Sequence, residues 1–296
     1  MKKKIKYYQI AKEAFKNNEN ITNTLINHGA SKSESIELSY ELQAGEYTLN
    51  FNELNLKRNK EIHSVINKYI NLPGIESVGV FGIGEAKNWI GFEGKIKNLH
   101  GVEIAFSRLG WAYKNLNKLP GINNFQLIKG DTSQKIFRDN SFDISITLHS
   151  IEPNGNKQGS LILDNVVNSA AKYVLLFEPD FSTAHSKMKE RMLKHDYVRN
   201  ISDELAKMKS VNIIEKYVMD VQETKDNLTT CWVIEKKKKE PVEKEKMVDP
   251  YSGEQLVEYN DMMYSPSTGL VFPKIDNLIL LNQQDAIFIG NRDLTE

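Results

Sequence analysis

Between residues 75 and 236 of this chain, strand-length apolar runs alternate with longer polar-patterned segments, and that rhythm leaves few folds open. The runs are Ser77–Phe81, Gly101–Ala105, Phe125–Lys129, Phe142–Leu148 and Lys172–Phe177. The segments between them are mostly long enough for a helix or part of one. Strands joined in this way lie parallel with right-handed crossovers, so an α/β, doubly wound sheet is expected. The rhythm breaks at its end. "VNIIEKYVMD" and "TTCWVIEKK" are separated only by "VQETKDNL", too little for a crossover helix, so this last pair is expected to be antiparallel.

The flanks differ in kind. Residues 1–74 read as a helical cap, with amphipathic stretches at Tyr8–Phe15 and Lys57–Ile70, the second stopped by Leu72-Pro73-Gly74. "SIELSYELQAGEYTLNF" reads equally as one helix or as a helix and a turn. Residues 237–246 fall in a charge-rich linker, and residues 247–296 form a small terminal module. The chain has 296 residues, with 39 basic and 39 acidic side chains. A neutral balance removes the electrostatic footprint of a nucleic-acid binder. The opening "MKKKIKYYQI" lacks the apolar stretch of a signal peptide, and no run is apolar and long enough to span a bilayer, so a cytoplasmic location is expected. A single cysteine, Cys231, leaves no internal disulfide and no cysteine-built zinc site.

The first apolar run ends in Gly82-Ile83-Gly84-Glu85. Glycines there let backbone approach a ligand that a Cβ would strike; a plain tight turn is the alternative. In such sheets ligands sit at the carboxyl ends of the strands. A dinucleotide and S-adenosylmethionine are the two candidate tenants. Glu103 ends the second run, where an acid accepts both ribose hydroxyls of either cofactor; an ordinary exposed acid is the alternative. Asp131, after the third run, suits the adenine amino group, or else a helix N-cap with Gln134 three positions on. Lys87 stands where a dinucleotide fingerprint has its third glycine, which disfavours a pyrophosphate.

"VGVFGIGE", "GVEIAFSRLGWA", "KGDTSQKIFRDNSFDISITLHS" and the closing hairpin together resemble the ordered motifs of class I S-adenosylmethionine-dependent methyltransferases, over residues 75–236. The resemblance implies a seven-stranded Rossmann-like methyltransferase sheet ending in the antiparallel hairpin. It sets Gly82 and Gly84 against the methionine part of the cofactor, Glu103 on the ribose, and Asp131 with Thr132 beside the adenine. Phe81, Ile104 and Leu148, at neighbouring strand ends, complete the cofactor set, with Glu85 as a supporting group or a first-turn acid favoured by the helix dipole.

Acceptor-side groups should project from the ends of the fourth and fifth strands. The fourth runs into His149-Ser150-Ile151-Glu152, the fifth into Glu178-Pro179-Asp180. His149 ranks first as general base, because its ordinary pKa lies near neutrality. Glu152 and Glu178 follow as catalytic partners that orient the imidazole or bind the acceptor. For all three the alternative is a structural hydrogen-bonding role. His185 and His195 read as surface or lid residues. The Asp/Asn-Pro-Pro-aromatic loop of DNA amino-methyltransferases is missing, and "SIEPN" stands there. A small metabolite or activated sugar is the expected acceptor, O-methylation favoured over N-methylation. "SIELSYELQAGEY", "LHSIEPNG" and "LLFEPDF" also resemble a subgroup associated with bacterial surface-polysaccharide clusters. A homodimer stays open.

In the terminal module, "DPYSG" and "SPSTG" would become two zinc-ribbon knuckles if Asp249, Ser252, Ser265 and Thr268 were cysteines. The module therefore resembles a small β-rich ribbon without metal ligands, docked on the main domain as a support or an acceptor-side wall; chance likeness of two turns is the alternative. Two rival functions remain: a nicotinamide-dependent oxidoreductase, and a non-catalytic methyltransferase-like scaffold that binds a partner protein.

Overall fold

A computed structural model describes residues 2–243 and 246–290. Met1, Lys244 and Glu245 of the expected linker, and residues 291–296 of the expected terminal module lie outside the described residues. The chain begins with helices α1 (Lys2–Lys16), α2 (Ile21–Asn27), α3 (Lys32–Leu42), α4 (Glu46–Leu49) and α5 (Glu53–Ile70). The ambiguous stretch is a helix and a turn: α3 stops at Leu42, and Gly45 takes φ +98° against the Trp111 ring, where a Cβ would sit 2.9 Å from indole atoms. Helix α5 starts on a reciprocal Asn52–Asn55 cap and buries Ile62, Val65, Ile66 and Tyr69 on one face.

The alternating region follows as β1 (Ser77–Phe81), β2 (Ile96–Glu103), α6 (Phe106–Leu116), β3 (Ile122–Lys129), β4 (Phe142–Leu148), α7 (Gly155–Ser169), β5 (Ala170–Glu178), α8 (Ser186–Lys194), α9 (Ile201–Lys207), β6 (Val211–Val218) and β7 (Thr230–Lys236). The remainder adds β8 (Val257–Tyr259), β9 (Met262–Ser265), β10 (Leu270–Phe272), β11 (Lys274–Ile275), β12 (Leu278–Leu280) and β13 (Ile287–Phe288). Strands β1 and β4 span the expected residues, while β2 and β3 start earlier than their apolar runs.

The main sheet has the order β11-β12-β3-β2-β1-β4-β5-β7-β6. Strands β1 to β5 pair in parallel, and β7 runs antiparallel to both β5 and β6. The expected count of seven strands needs correction: among the described residues the sheet has nine, because β12 joins the free edge of β3 in parallel and β11 pairs with β12. An unpaired β3 edge is a row of unsatisfied N–H and C=O groups, which the C-terminal segment covers. Two apolar layers cover the two faces: α5 and α6 pack on one, α7 and α9 on the other. Gly79 explains why a glycine sits inside β1, since a Cβ there would fall 2.3 Å from the Phe142 ring.

The charged segment after β7 is tied down at several points, by Lys237 N–H to Ser210 O, Glu240 N–H to Ala171 O and Glu243 N–H to Asn140 O. Beyond it, β8, β9, β10 and β13 form a second, antiparallel sheet. There the Asp249 carboxylate, 0% exposed, accepts from Ser265 Oγ at 2.5 Å and Thr268 Oγ1 at 2.6 Å, while Ser252 and Ser267 share a bond of 2.8 Å. Among the described residues no helix is long and apolar enough to cross a membrane.

Candidate functional site

The carboxyl ends of β1 to β4 open onto one cavity of about 330 Å³, roofed by α3 and α4 and flanked by α8 and the β6–β7 connection. Of the residues expected at the cofactor, Gly82, Gly84, Glu85, Glu103, Ile104, Asp131, Thr132 and Leu148 line it. Phe81 does not; it is buried against Phe137 and Phe142.

The two glycines separate. Gly82 has φ +75° and Gly84 φ +60°, so both need the left-handed region. A Cβ on Gly82 would lie 2.2 Å from the Cβ of Ser150, whose hydroxyl donates to Phe81 O at 2.7 Å. Gly82 lines the cavity, and its missing side chain makes room for the neighbouring strand's loop. A Cβ on Gly84 would meet only the tip of Arg108, at 2.6 Å. Two residues on, Ala86 also takes a positive φ of 55°, a conformation that costs a non-glycine residue about 1–2 kcal/mol.

Two acids of this wall, Glu85 and Asp131, are held by the helical cap. Glu85 accepts from Gly45 N and Thr48 N, both at 2.8 Å, and from Thr48 Oγ1 at 2.6 Å. Its carboxylate fastens the cap. Asp131 accepts from Ser33 Oγ of α3 at 2.6 Å and from Ser133 N–H and O–H. No helix follows, so Asp131 is not an N-cap; its carboxylate holds a turn and the cap at the cavity wall. Glu103, 4% exposed, accepts from Gly84 N at 3.1 Å and Ala105 N at 3.0 Å. Helix α6 lacks a side-chain cap of its own; Glu41 of α3 supplies one, accepting from Phe106 N at 2.5 Å and Ser107 N at 3.0 Å.

The opposite wall is locked from within. His149 sits at φ +54° directly after β4, a strained position for a side chain of that size. Its Nδ1 lies 2.7 Å from Glu152 Oε2 and its Nε2 2.7 Å from Thr229 Oγ1. In the neutral imidazole, a hydrogen on Nδ1 facing the Glu152 carboxylate leaves Nε2 to receive the Thr229 O–H. Asn227 Nδ2 donates to Glu152 at 3.2 Å, and Arg58 Nη2 donates to Thr229 Oγ1 at 3.4 Å. Burial lowers the pKa of Arg58, with Glu223 opposing. Glu61 of α5 holds the β6–β7 connection by accepting from Asp220 N and Val221 N at 2.8 Å each.

Glu178 is a correction. Its carboxylate is 0% exposed, lies outside the cavity lining and accepts from Ser150, Ile151 and Glu152 N–H at 2.9, 3.2 and 3.3 Å. It shapes the loop that presents His149 and does not line the cavity. Burial pushes its pKa up to about 7, against the lowering pull of His149 and the amides. His185 caps α8 and bonds Lys225 O, while Arg191 of the same helix reaches the cavity.

Sequence reasoning missed Arg58, Arg108, Glu223, Asn227 and Thr229, all of which line the cavity. A signal for the last existed: antiparallel pairing of β5 with β7 sets Glu178 beside Thr230, so the start of β7 must lie at the rim. No residue beyond 246 lines the cavity, so among the described residues the terminal module is not an acceptor-side wall; it stands at the β3 edge.

No family model and no curated protein matches the chain. Solved structures do. Magnesium protoporphyrin IX methyltransferase (ChlM) from Synechocystis PCC 6803, with bound SAM, is similar at TM-score 0.53 and 11% identity, over 70% of this chain and 98% of that one. N-methyltransferase NodS from Bradyrhizobium japonicum WM9, in complex with S-adenosyl-L-homocysteine, is similar at TM-score 0.52 and 12% identity, over 74% and 100%. At such identities the likeness is one of fold, and the fold is that of these methyltransferases.

Proposed function

We propose that the chain is an S-adenosylmethionine-dependent methyltransferase acting on a small polar acceptor, with O-methylation of a sugar or surface-polysaccharide precursor favoured. One observation supports this above others: Glu103 and the His149–Glu152 pair line the same cavity, at the strand ends where a cofactor and its acceptor must meet.

The residues present fit the cofactor. Above Gly84 stands only the movable end of Arg108. Glu103 spends its carboxylate on two backbone amides and keeps lone pairs for hydroxyl donors. Glu103 would take the ribose, Gly84 would pass the methionine part, and Ile104 and Thr132 would flank the adenine. Asp131 would reach the adenine amino group only once Ser33 releases it. Bound there, the cofactor would supply an electrophilic methyl group on a sulfonium.

The chain's own work is alignment and proton removal. The basic atom is His149 Nε2, which Thr229 Oγ1 now engages. An acceptor hydroxyl that takes the place of the Thr229 O–H would hand its proton to Nε2, while Glu152, on Nδ1, steadies the imidazolium. Residues 1–74 roof the acceptor and exclude water. The terminal module is in our reading a ribbon-like unit without metal ligands, its knuckle positions linked through Asp249 in place of an ion.

Calorimetry with S-adenosylhomocysteine tests the first half: one molecule bound per chain is expected, and none would remove the reading. A methyl-transfer screen against nucleotide sugars, read by the mass of one added methyl group, tests the second.

A further inference from the structure

Most polar groups of the cavity are spent on one another. Lys87 donates to Glu223 at 2.7 Å, Arg58 donates to Asn88 Oδ1 at 3.1 Å and to Thr229 Oγ1 at 3.4 Å, and His149 is closed between Glu152 and Thr229. Arg108 differs. Its guanidinium lies between two tyrosines of the roof, 4.4 Å from the Tyr40 centroid and 5.0 Å from that of Tyr47. Its Nε is buried with no hydrogen-bond partner. The carboxylate that faces it, Glu103 Oε2, stands 3.7 Å from Nη1, outside hydrogen-bonding distance. Nη2 lies over Gly84, in the space that loop leaves open.

An arginine offers five N–H donors in a flat fork that matches a carboxylate, and unmet donors in a desolvated site cost free energy. Two aromatic faces form a slot that admits a planar partner edge-on to the guanidinium. A tetrahedral phosphate fits such a slot poorly, and a dianion would also face Glu103. We propose that Arg108 is the carboxylate receptor of this cavity, gripping an acid group of the bound ligand by its open N–H edge. This rests on the methyltransferase reading, which offers two sources of the acid: the amino-acid tail of the cofactor, or a carboxylate on the acceptor, as in a uronic sugar.

Calorimetric titration of the wild type, Arg108→Gln and Arg108→Lys separates them, with circular dichroism and melting curves confirming that the variants fold. The probes are S-adenosylhomocysteine and methylthioadenosine, which keeps the nucleoside and the sulfur but lacks the acid. If the tail is the source, Arg108→Gln weakens S-adenosylhomocysteine by about 10- to 100-fold and methylthioadenosine by less than about twofold, with Arg108→Lys between. If the acceptor is the source, both nucleosides bind all three proteins alike. Glucuronate, but not glucose, then binds the wild type saturated with S-adenosylhomocysteine, and Arg108→Gln abolishes that binding. Equal losses for both nucleosides, or no Arg108-dependent difference in either arm, overturn the assignment. A wild type that binds neither nucleoside defeats the cofactor reading instead, and glucuronate against the variants then decides Arg108 alone.

Discussion

The wall formed by the ends of β1, β2 and β3 and the wall formed by β4, β5 and the start of β7 face the same cavity but are held in opposite ways. On the first, Glu85 and Asp131 reach upward to the cap, through Gly45, Thr48 and Ser33. On the second, Glu178 reaches backward into its own loop, and His149 is gripped on both nitrogens. A wall fastened to a roof changes when the roof moves. A wall fastened to itself keeps its geometry. On the proposed function, adaptability falls on the cofactor side and rigidity on the side that removes a proton, in line with the need of acid–base chemistry for fixed distances.

Three substitutions break or sharpen that contrast. The largest effect is expected at His149. His149→Ala should lower turnover by about 10²- to 10⁴-fold while S-adenosylhomocysteine affinity stays within about twofold; unchanged turnover in a methyl-transfer assay would take His149 out of the mechanism. Next comes Glu85→Gln, which removes a buried carboxylate from three donors of the cap. A loss of about 2 kcal/mol in denaturant unfolding is expected, with turnover of the folded fraction nearly intact. Abolished cofactor binding without lost stability would instead make Glu85 a ligand residue.

The smallest effect concerns Glu178. Its folded pKa, about 7, lies above the ordinary 4.5, so the folded state binds the proton more tightly than the unfolded chain. Its contribution is therefore lost as pH climbs from about 4.5 to 7 and is flat beyond. The difference in melting temperature between wild type and Glu178→Gln should grow in the variant's favour across that window. A difference independent of pH would show that the carboxylate is already ionised in the fold.

Much of the sheet was legible because strands buried on both faces are rich in apolar residues; β1 and β4 are buried from end to end, although β4 sets Asp143, Ser145 and Thr147 between its apolar residues. The early starts of β2 and β3 were not, since Asn98 and Asn124 pair in the ladder without being apolar. Within the site, Glu103 and His149 were readable from strand ends alone. Glu178 was not: a carboxylate after a strand can turn outward or into its own loop, and only the Ser150–Glu152 amides decide which. Gly82 and Gly84 look alike in sequence, yet Ser150 fills one space and a movable arginine the other. Arg108 carried no signal, because its meaning comes from Tyr40 and Tyr47, brought in by a distant segment.

The buried acid of the second sheet has a practical side. Asp249, Ser265 and Thr268 fasten two turns with protons and oxygen atoms alone. Such a joint is closed by the polypeptide itself as it leaves the ribosome, needing no loaded ion and no thiol kept reduced. Chelating agents, which dismantle metal clasps, should leave this corner of the molecule intact.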